Sequence, residues 1–85
     1  MTSTQTKVVK QIVATLEFIA DVDYEVSDTE YDKDIMLSIH AHNERNDVFT
    51  AVFMGSRGGL YTFDGNRVVR ISKPDLMGAL AAYLC

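Results

Sequence analysis

The spacing of apolar residues changes twice along this chain of 85 residues. Near the start, apolar residues recur at three- and four-residue steps, which is typical of an amphipathic helix. In the middle they alternate with polar residues, as in strands with one face in water, and the helical spacing then returns. This order predicts an α+β fold: a single antiparallel sheet of about four to five strands flanked by an N-terminal and a C-terminal helix, α-β-β-β-β-β-α.

Each predicted helix has one apolar stripe that would pack on the sheet. The first helix is predicted over residues 6–20, with the stripe Val8, Val9, Ile12, Val13, Leu16, Ile19 and Ala20. The last helix is predicted to follow Ser72, a favourable N-cap, because Pro74 then lies in the first turn, where no amide partner is needed. Its predicted stripe is Leu76, Met77, Leu80, Tyr83 and Leu84.

Residues 35–42 and 48–54 are predicted to form a hairpin, because the five residues between them favour turns. A loop of that length pairs Ile39 with Ala51. One face then carries the core side chains Ile35, Leu37, Ile39, Ala41, Phe49, Ala51 and Phe53. The other face is unusually apolar for a solvated sheet, so we expect a second copy to cover it. The residues predicted to mediate this self-association are Met36, His40, His42, Val52 and Met54.

The other strands are bounded by turn signals. Residues 22–27 alternate like a half-exposed edge strand. A glycine-rich connection at 55–59 leads to a second hairpin, 60–63 with 67–71, whose turn Asp64-Gly65-Asn66 tolerates positive φ. That connection lacks the lysine-serine ending and the following helix of a phosphate-binding Walker loop, so we interpret it as structural.

Chain length limits the molecule to one core, and we expect a single domain over residues 1–85. A core of this size gives modest stability, which small domains often improve by association, so a homodimer is expected. The only cysteine, Cys85, excludes an intramolecular disulfide. The polar first ten residues do not resemble a secretory signal. We therefore expect a cytoplasmic protein that does not enter membranes.

Acidic residues are concentrated between positions 21 and 34, where seven carboxylates accompany one lysine. Such charges protect an edge strand from aggregation, and they also suit a docking surface for a protein with a basic surface. We call this set the acidic edge: Asp21, Asp23, Glu25, Asp28, Glu30, Asp32 and Asp34. The net charge of −4 disfavours direct binding of nucleic acid.

Catalytic and metal-binding patterns are weak. The carboxylates that start at Asp21 do not form an EF-hand calcium loop, because Val26 stands where that loop needs glycine. Cys85 has no nearby histidine to activate it, so we expect neither an enzyme nor a cofactor. His40-x-His42 places two imidazoles on one side of a strand, a spacing that zinc sites use. A third ligand could come from Glu44, Asp47 or a neighbouring strand, but two ligands do not make a site, and we predict no metal.

The order helix, antiparallel sheet, helix is similar to that of small secretion-chaperone-type domains. The size and acidity are similar to those of phage-encoded inhibitors of host defence. These resemblances imply a binding protein but do not transfer a function. Our leading hypothesis is a non-enzymatic protein-binding module, an inhibitor, adaptor or chaperone-like protein, that binds stoichiometrically through the acidic edge and the semi-apolar sheet face. A phage or mobile-element inhibitor of a host system is one form of this hypothesis. The alternative is a small-ligand or metal-binding domain that uses His40 and His42.

Overall fold

The computed structural model describes the whole chain, Met1–Cys85. The helices and strands, in chain order, are α1 (Ser3–Leu16), β1 (Asp21–Asp28), β2 (Ile35–His42), β3 (Asp47–Met54), β4 (Leu60–Asp64), β5 (Arg67–Ile71) and α2 (Lys73–Leu84). The strands form one sheet in the order β1-β2-β3-β4-β5, and every neighbouring pair is antiparallel. The predicted α+β architecture is confirmed, and β1 and β5 are the edge strands.

Both helices lie on the same face of the sheet. Val9, Ile12 and Leu16 of α1 and Leu76, Leu80 and Leu84 of α2 join one core cluster with the sheet residues. The sheet contributes Ile35, Leu37, Ile39, Ala41, Val52, Met54 and Leu60. The opposite face of the sheet therefore has no helix over it. Neither helix has the length and apolar character that crossing a membrane requires.

Helix α1 lies three to four residues earlier than the sequence analysis predicts. Thr2 is its N-cap and forms a capping box with Gln5, so the helix starts at Ser3. After Leu16 the chain tightens, because the amides of Phe18 and Ile19 donate to carbonyls three residues earlier. Residues 17–20 are therefore a turn, and the predicted helical stripe ends at Leu16.

Strand β3 pairs one residue away from the predicted register. Ile39 lies opposite Thr50, and His42 lies opposite Asp47, so the hairpin loop has four residues instead of five. A slip of one residue moves every side chain of a strand to the other face. Val52 and Met54 are consequently 1% and 0% exposed and lie beneath the helices. Their predicted part in a self-association surface is wrong.

Asn43 accounts for the shorter loop. Its side-chain oxygen accepts hydrogen bonds from the amides of Arg45 and Asn46, and its own amide donates to the Asn46 carbonyl. This Asx-type turn closes the hairpin over four residues. The side-chain nitrogen of Asn43 also donates to the Leu84 carbonyl at 2.9 Å, which joins the loop to the end of α2. The register of the whole hairpin thus follows from one polar side chain.

Gln5 is the only buried polar side chain in the core. Its Nε2 donates to the carbonyls of Lys33, Met54 and Gly55, at 2.9, 3.4 and 3.1 Å. Its Oε1 accepts from the Thr2 amide at 2.8 Å. The side chain therefore satisfies main-chain groups from the start of α1, the β1–β2 connection and the end of β3.

Helix α2 begins as predicted, because the Ser72 hydroxyl accepts from the Asp75 amide and Pro74 lies in the first turn. Tyr83 departs from the predicted stripe and is 71% exposed. The β4–β5 hairpin also has its predicted turn, in which Gly65 adopts a φ of 64°. These short-range signals correctly located the β4–β5 hairpin and the start of α2.

Candidate functional site: the uncovered sheet face

The face of the sheet opposite the helices is the main candidate for a binding surface. The strand registers assign its side chains, and we call this set the uncovered face: Asp21, Asp23, Glu25 and Ser27 of β1, Met36, Ser38, His40 and His42 of β2, Asp47, Phe49, Ala51 and Phe53 of β3, Tyr61 and Phe63 of β4, and Val68 and Arg70 of β5. Phe49 is 75% exposed on this face, which is unusual for so large an apolar side chain.

Aromatic rings cluster on β3 and β4 of the uncovered face. The Phe53 ring lies 5.4 Å from Tyr61 and 5.2 Å from Phe63, measured between ring centroids. Tyr31, from the β1–β2 connection, lies 6.3 Å from Phe63 in a stacked orientation. The connection therefore folds toward this face, and aromatic packing holds it there. The result is an exposed aromatic cluster on a rigid sheet.

Tyr61 differs chemically from the other rings of the cluster. Its hydroxyl donates a 2.6 Å hydrogen bond to Oδ2 of Asp34. Burial, the hydrogen bond to Asp34 and the negative charge of Asp34 together raise the pKa of Tyr61 from 10.0 to about 12. Asp34, one of the acidic edge residues, is thus engaged within the molecule. It orients Tyr61 on the uncovered face.

We expect Tyr61 to make folding sensitive to strong alkali. The neutral phenol is favoured in the folded chain, so its contribution to the free energy of unfolding is complete below pH 10 and is lost as pH rises through about 12. Ultraviolet titration of tyrosinate should show one late ionisation that Tyr61→Phe removes. Asp34→Asn should move that ionisation to lower pH. A late ionisation that persists in Tyr61→Phe would contradict this assignment.

Histidines and carboxylates gather at the β1 side of the uncovered face. Asp23, His40 and His42 each place a ligand-type atom within 4.8 Å of the other two. His42 Nε2 lies 3.8 Å from Asp23 Oδ2, and His40 Nε2 lies 2.9 Å from Asp47 Oδ1. The predicted neighbouring-strand ligand is therefore Asp23, which the register places opposite His40. We call these four residues the histidine cluster. Glu44, the other candidate, has no hydrogen bond or ion pair with either histidine.

The acidic edge residues divide into three groups. Asp21, Asp23 and Glu25 belong to the uncovered face, on β1. Asp28 ends β1, and Glu30 and Asp32 lie exposed in the connection that follows. Asp34 binds Tyr61. Only the first group therefore belongs to the uncovered face, and whether any acidic edge residue contacts a partner stays a prediction.

The predicted self-association residues also divide. Met36, His40 and His42 lie on the uncovered face, whereas Val52 and Met54 lie in the core. The predicted core position of Phe49, Ala51 and Phe53 is wrong, because these residues lie on the uncovered face. The signal that could have placed them was Asn43, whose Asx turn shortens the loop. Val68, which is 59% exposed on this face, is absent from the predicted self-association residues.

Comparisons with known proteins add no functional assignment. No protein-family model, no curated protein and no solved structure matches this chain. The function must therefore be argued from the surface itself.

Proposed function

We propose that this chain is a non-enzymatic protein-binding module, and that its uncovered face binds a second copy of the chain. The observation that carries this proposal is the exposed aromatic cluster on the sheet face opposite both helices. Aromatic side chains dominate the energetics of protein interfaces because they bury large apolar areas with little loss of side-chain freedom. An open sheet face of this composition suits a second protein surface.

Charge supports a second copy as the occupant. On the uncovered face, β1 carries Asp21, Asp23 and Glu25, whereas β5 carries Arg70. A two-fold axis parallel to the strands places β1 of one copy over β5 of the other. A two-fold axis across the strands places β1 over β1, where like charges repel. The charge distribution therefore favours the first arrangement, in which the interface is self-complementary.

The position of Arg70 along the strands fits this arrangement. The registers connect Arg70 through Tyr61, Phe53 and Met36 to Ser27 of β1. A two-fold axis parallel to the strands preserves position along them, so Arg70 of one copy faces Ser27 of the other. Glu25 lies two residues further along β1, a distance of about 7 Å that an arginine side chain spans. We therefore expect an ion pair between Arg70 and Glu25 across the interface.

Area sets the expected strength of the dimer. Five strands spaced about 4.8 Å apart, each about 20 Å long, give a face of roughly 500 Å² per copy. Stable interfaces of standard size bury about 800 Å² per partner. The dimer should therefore belong to the weak, reversible class of interfaces.

The test compares two adjacent valines of β5 that point to opposite faces. Val68 is 59% exposed on the uncovered face, and Val69 is 41% exposed on the helix side. Val68→Asp should weaken dimerisation at least about tenfold, because it inserts an unpaired charge into the interface. Val69→Asp should change it less than about twofold. Sedimentation equilibrium over a range of concentrations measures both effects. A chain that stays monomeric at millimolar concentration, or equal effects of the two variants, would overturn the proposal.

Charge reversal tests the orientation. Glu25→Arg and Arg70→Glu should each weaken the dimer, and the double variant should restore it, because the ion pair is then re-formed in the opposite sense. Failure of the double variant to recover affinity would exclude this two-fold axis.

Part of the acidic edge stays outside such a dimer. Asp28, Glu30 and Asp32 lie at the end of β1 and in the connection beyond it. We propose that they attract a basic partner protein, since electrostatic attraction speeds association. Their reversal to lysine should leave the dimer intact and abolish binding of that partner, and unchanged binding would remove them from the proposal.

A further inference from the structure

We propose that the histidine cluster is a transition-metal site that binds Zn²⁺ through Asp23, His40 and His42. Neutral imidazole and carboxylate are established ligands of this ion. The three side chains come from two paired strands, and their ligand atoms lie within 4.8 Å of one another. This inference does not rest on the dimer.

The distances between the ligands are close to those that a bound ion requires. Metal–ligand bonds of about 2.0–2.2 Å place neighbouring ligand atoms of a tetrahedral ion about 3.4 Å apart. His42 Nε2 and Asp23 Oδ2 are already 3.8 Å apart. No two of the three ligand atoms are more than 4.8 Å apart. The distance between any two of them therefore has to shorten by at most about 1.4 Å to reach the tetrahedral spacing, and rotation of side chains on a partly exposed surface provides this change. The strand register holds the three Cα positions in place throughout.

Two contacts orient the His40 ring before any ion binds. Phe49 stacks on the ring with a centroid distance of 4.0 Å and an angle of 7° between the planes. Asp47 Oδ1 lies 2.9 Å from His40 Nε2. With Nε2 donating to Asp47, Nδ1 carries the free lone pair that a metal needs. A carboxylate behind a ligating histidine fixes its tautomer and strengthens it as a ligand, and Asp47 fits this role.

The surrounding charges favour a cation. Asp21 and Glu25 lie on the same face of β1, on either side of Asp23. Asp47 lies on this face too, on β3, where it pairs with His42. No lysine or arginine belongs to β1, β2 or β3. Four carboxylates therefore lie near the two imidazoles, and a divalent ion would relieve the mutual repulsion of the carboxylates. Two imidazoles favour Zn²⁺ over Mg²⁺ or Ca²⁺, which prefer oxygen ligands.

Calorimetric titration of the untagged, metal-free chain with ZnCl₂ tests this site, and we expect one ion per chain. Loss of a group that only orients a ligand costs about 10- to 100-fold in metal affinity. Asp47→Asn should therefore weaken binding about tenfold or more, and His42→Ala and Asp23→Asn at least as much. Glu44→Gln is the matched control, since it removes one carboxylate charge from a residue that contacts neither histidine, and it should change the affinity less than about twofold.

Two further measurements distinguish the histidine cluster from zinc binding elsewhere on the chain. Nitrogen chemical shifts of the imidazole rings should change for both His40 and His42 at one equivalent of Zn²⁺, in amide spectra that show the variants to be folded. Cys85→Ser should bind Zn²⁺ as tightly as the native chain, because the exposed thiol is outside the site. Binding that is absent, that persists unchanged in His42→Ala, or that disappears in Cys85→Ser would overturn the proposal.

Discussion

Val52→Asp is expected to lower the free energy of unfolding by roughly 3–5 kcal/mol. Val52 is 1% exposed and packs in the core between β2 and the helices, so an aspartate there would be a buried charge without a partner. A buried charge without a partner lowers the free energy of unfolding by roughly 3–5 kcal/mol. A domain of this length has a total stability of roughly 4–13 kcal/mol. Urea unfolding followed by circular dichroism should therefore show a much lower urea midpoint for this variant than for the native chain.

Ala51→Asp is the control for this prediction. Ala51 precedes Val52 on β3, points to the uncovered face and is exposed. The substitution should cost about 1 kcal/mol or less, which reflects the poor strand propensity of aspartate. In the register that the sequence analysis predicted, Ala51 is in the core and Val52 is outside, so the order of the two effects reverses. A larger effect at Ala51 would show that the hairpin slips by one residue.

Gln5→Leu is expected to lower the free energy of unfolding by about 3 kcal/mol. Leucine fills a similar volume, but the carbonyls of Lys33, Met54 and Gly55 then lose a donor. A buried polar group without a partner costs about 1–3 kcal/mol, and loss of the bond from the Thr2 amide to Gln5, one of the two in the capping box, adds about 1 kcal/mol. Part of this cost is offset by leucine's own burial. Chemical denaturation at equilibrium measures the difference.

Gln11→Leu is the matched control, because Gln11 lies on the same helix and its side chain meets only Lys73 at the surface. This substitution should change the free energy of unfolding by less than about 0.5 kcal/mol. If the two variants were equally stable, the hydrogen bonds of Gln5 would contribute nothing net, and the proposed role of Gln5 in holding the β1–β2 connection would be wrong.

Short-range chemistry made much of the fold predictable. Alternation identified β2, turn residues identified the β4–β5 hairpin, and the hydroxyl of Ser72 with Pro74 identified the start of α2. Each of these signals acts between residues close in sequence, so no knowledge of the tertiary structure was needed. The capping box of Thr2 and Gln5 was also present in the sequence. It was missed because Gln5 looks like a surface residue until three distant carbonyls surround it.

The uncovered face was less predictable, because its composition depends on one loop. Both faces of β3 carry apolar residues, so hydrophobicity alone could not decide which face is buried. The loop length decided it, and that length follows from the hydrogen bonds of Asn43. The histidine cluster was predictable only in part. The two histidines of His40-x-His42 are close in sequence, whereas Asp23 comes close to them only because β1 pairs with β2.

The meander order of the sheet has a consequence for synthesis of the chain. Every strand pairs with its neighbour in sequence, so the sheet can assemble one hairpin at a time as the polypeptide emerges. Helix α2, however, follows all five strands in the chain. Since translation adds about 5–20 residues per second, the complete sheet exists for a short time before α2 has been synthesised. During that interval the side of the sheet that α2 later covers is open to other nascent polypeptides. During this interval, the carboxylates of the edge strand β1 disfavour pairing of that edge with a strand of another chain.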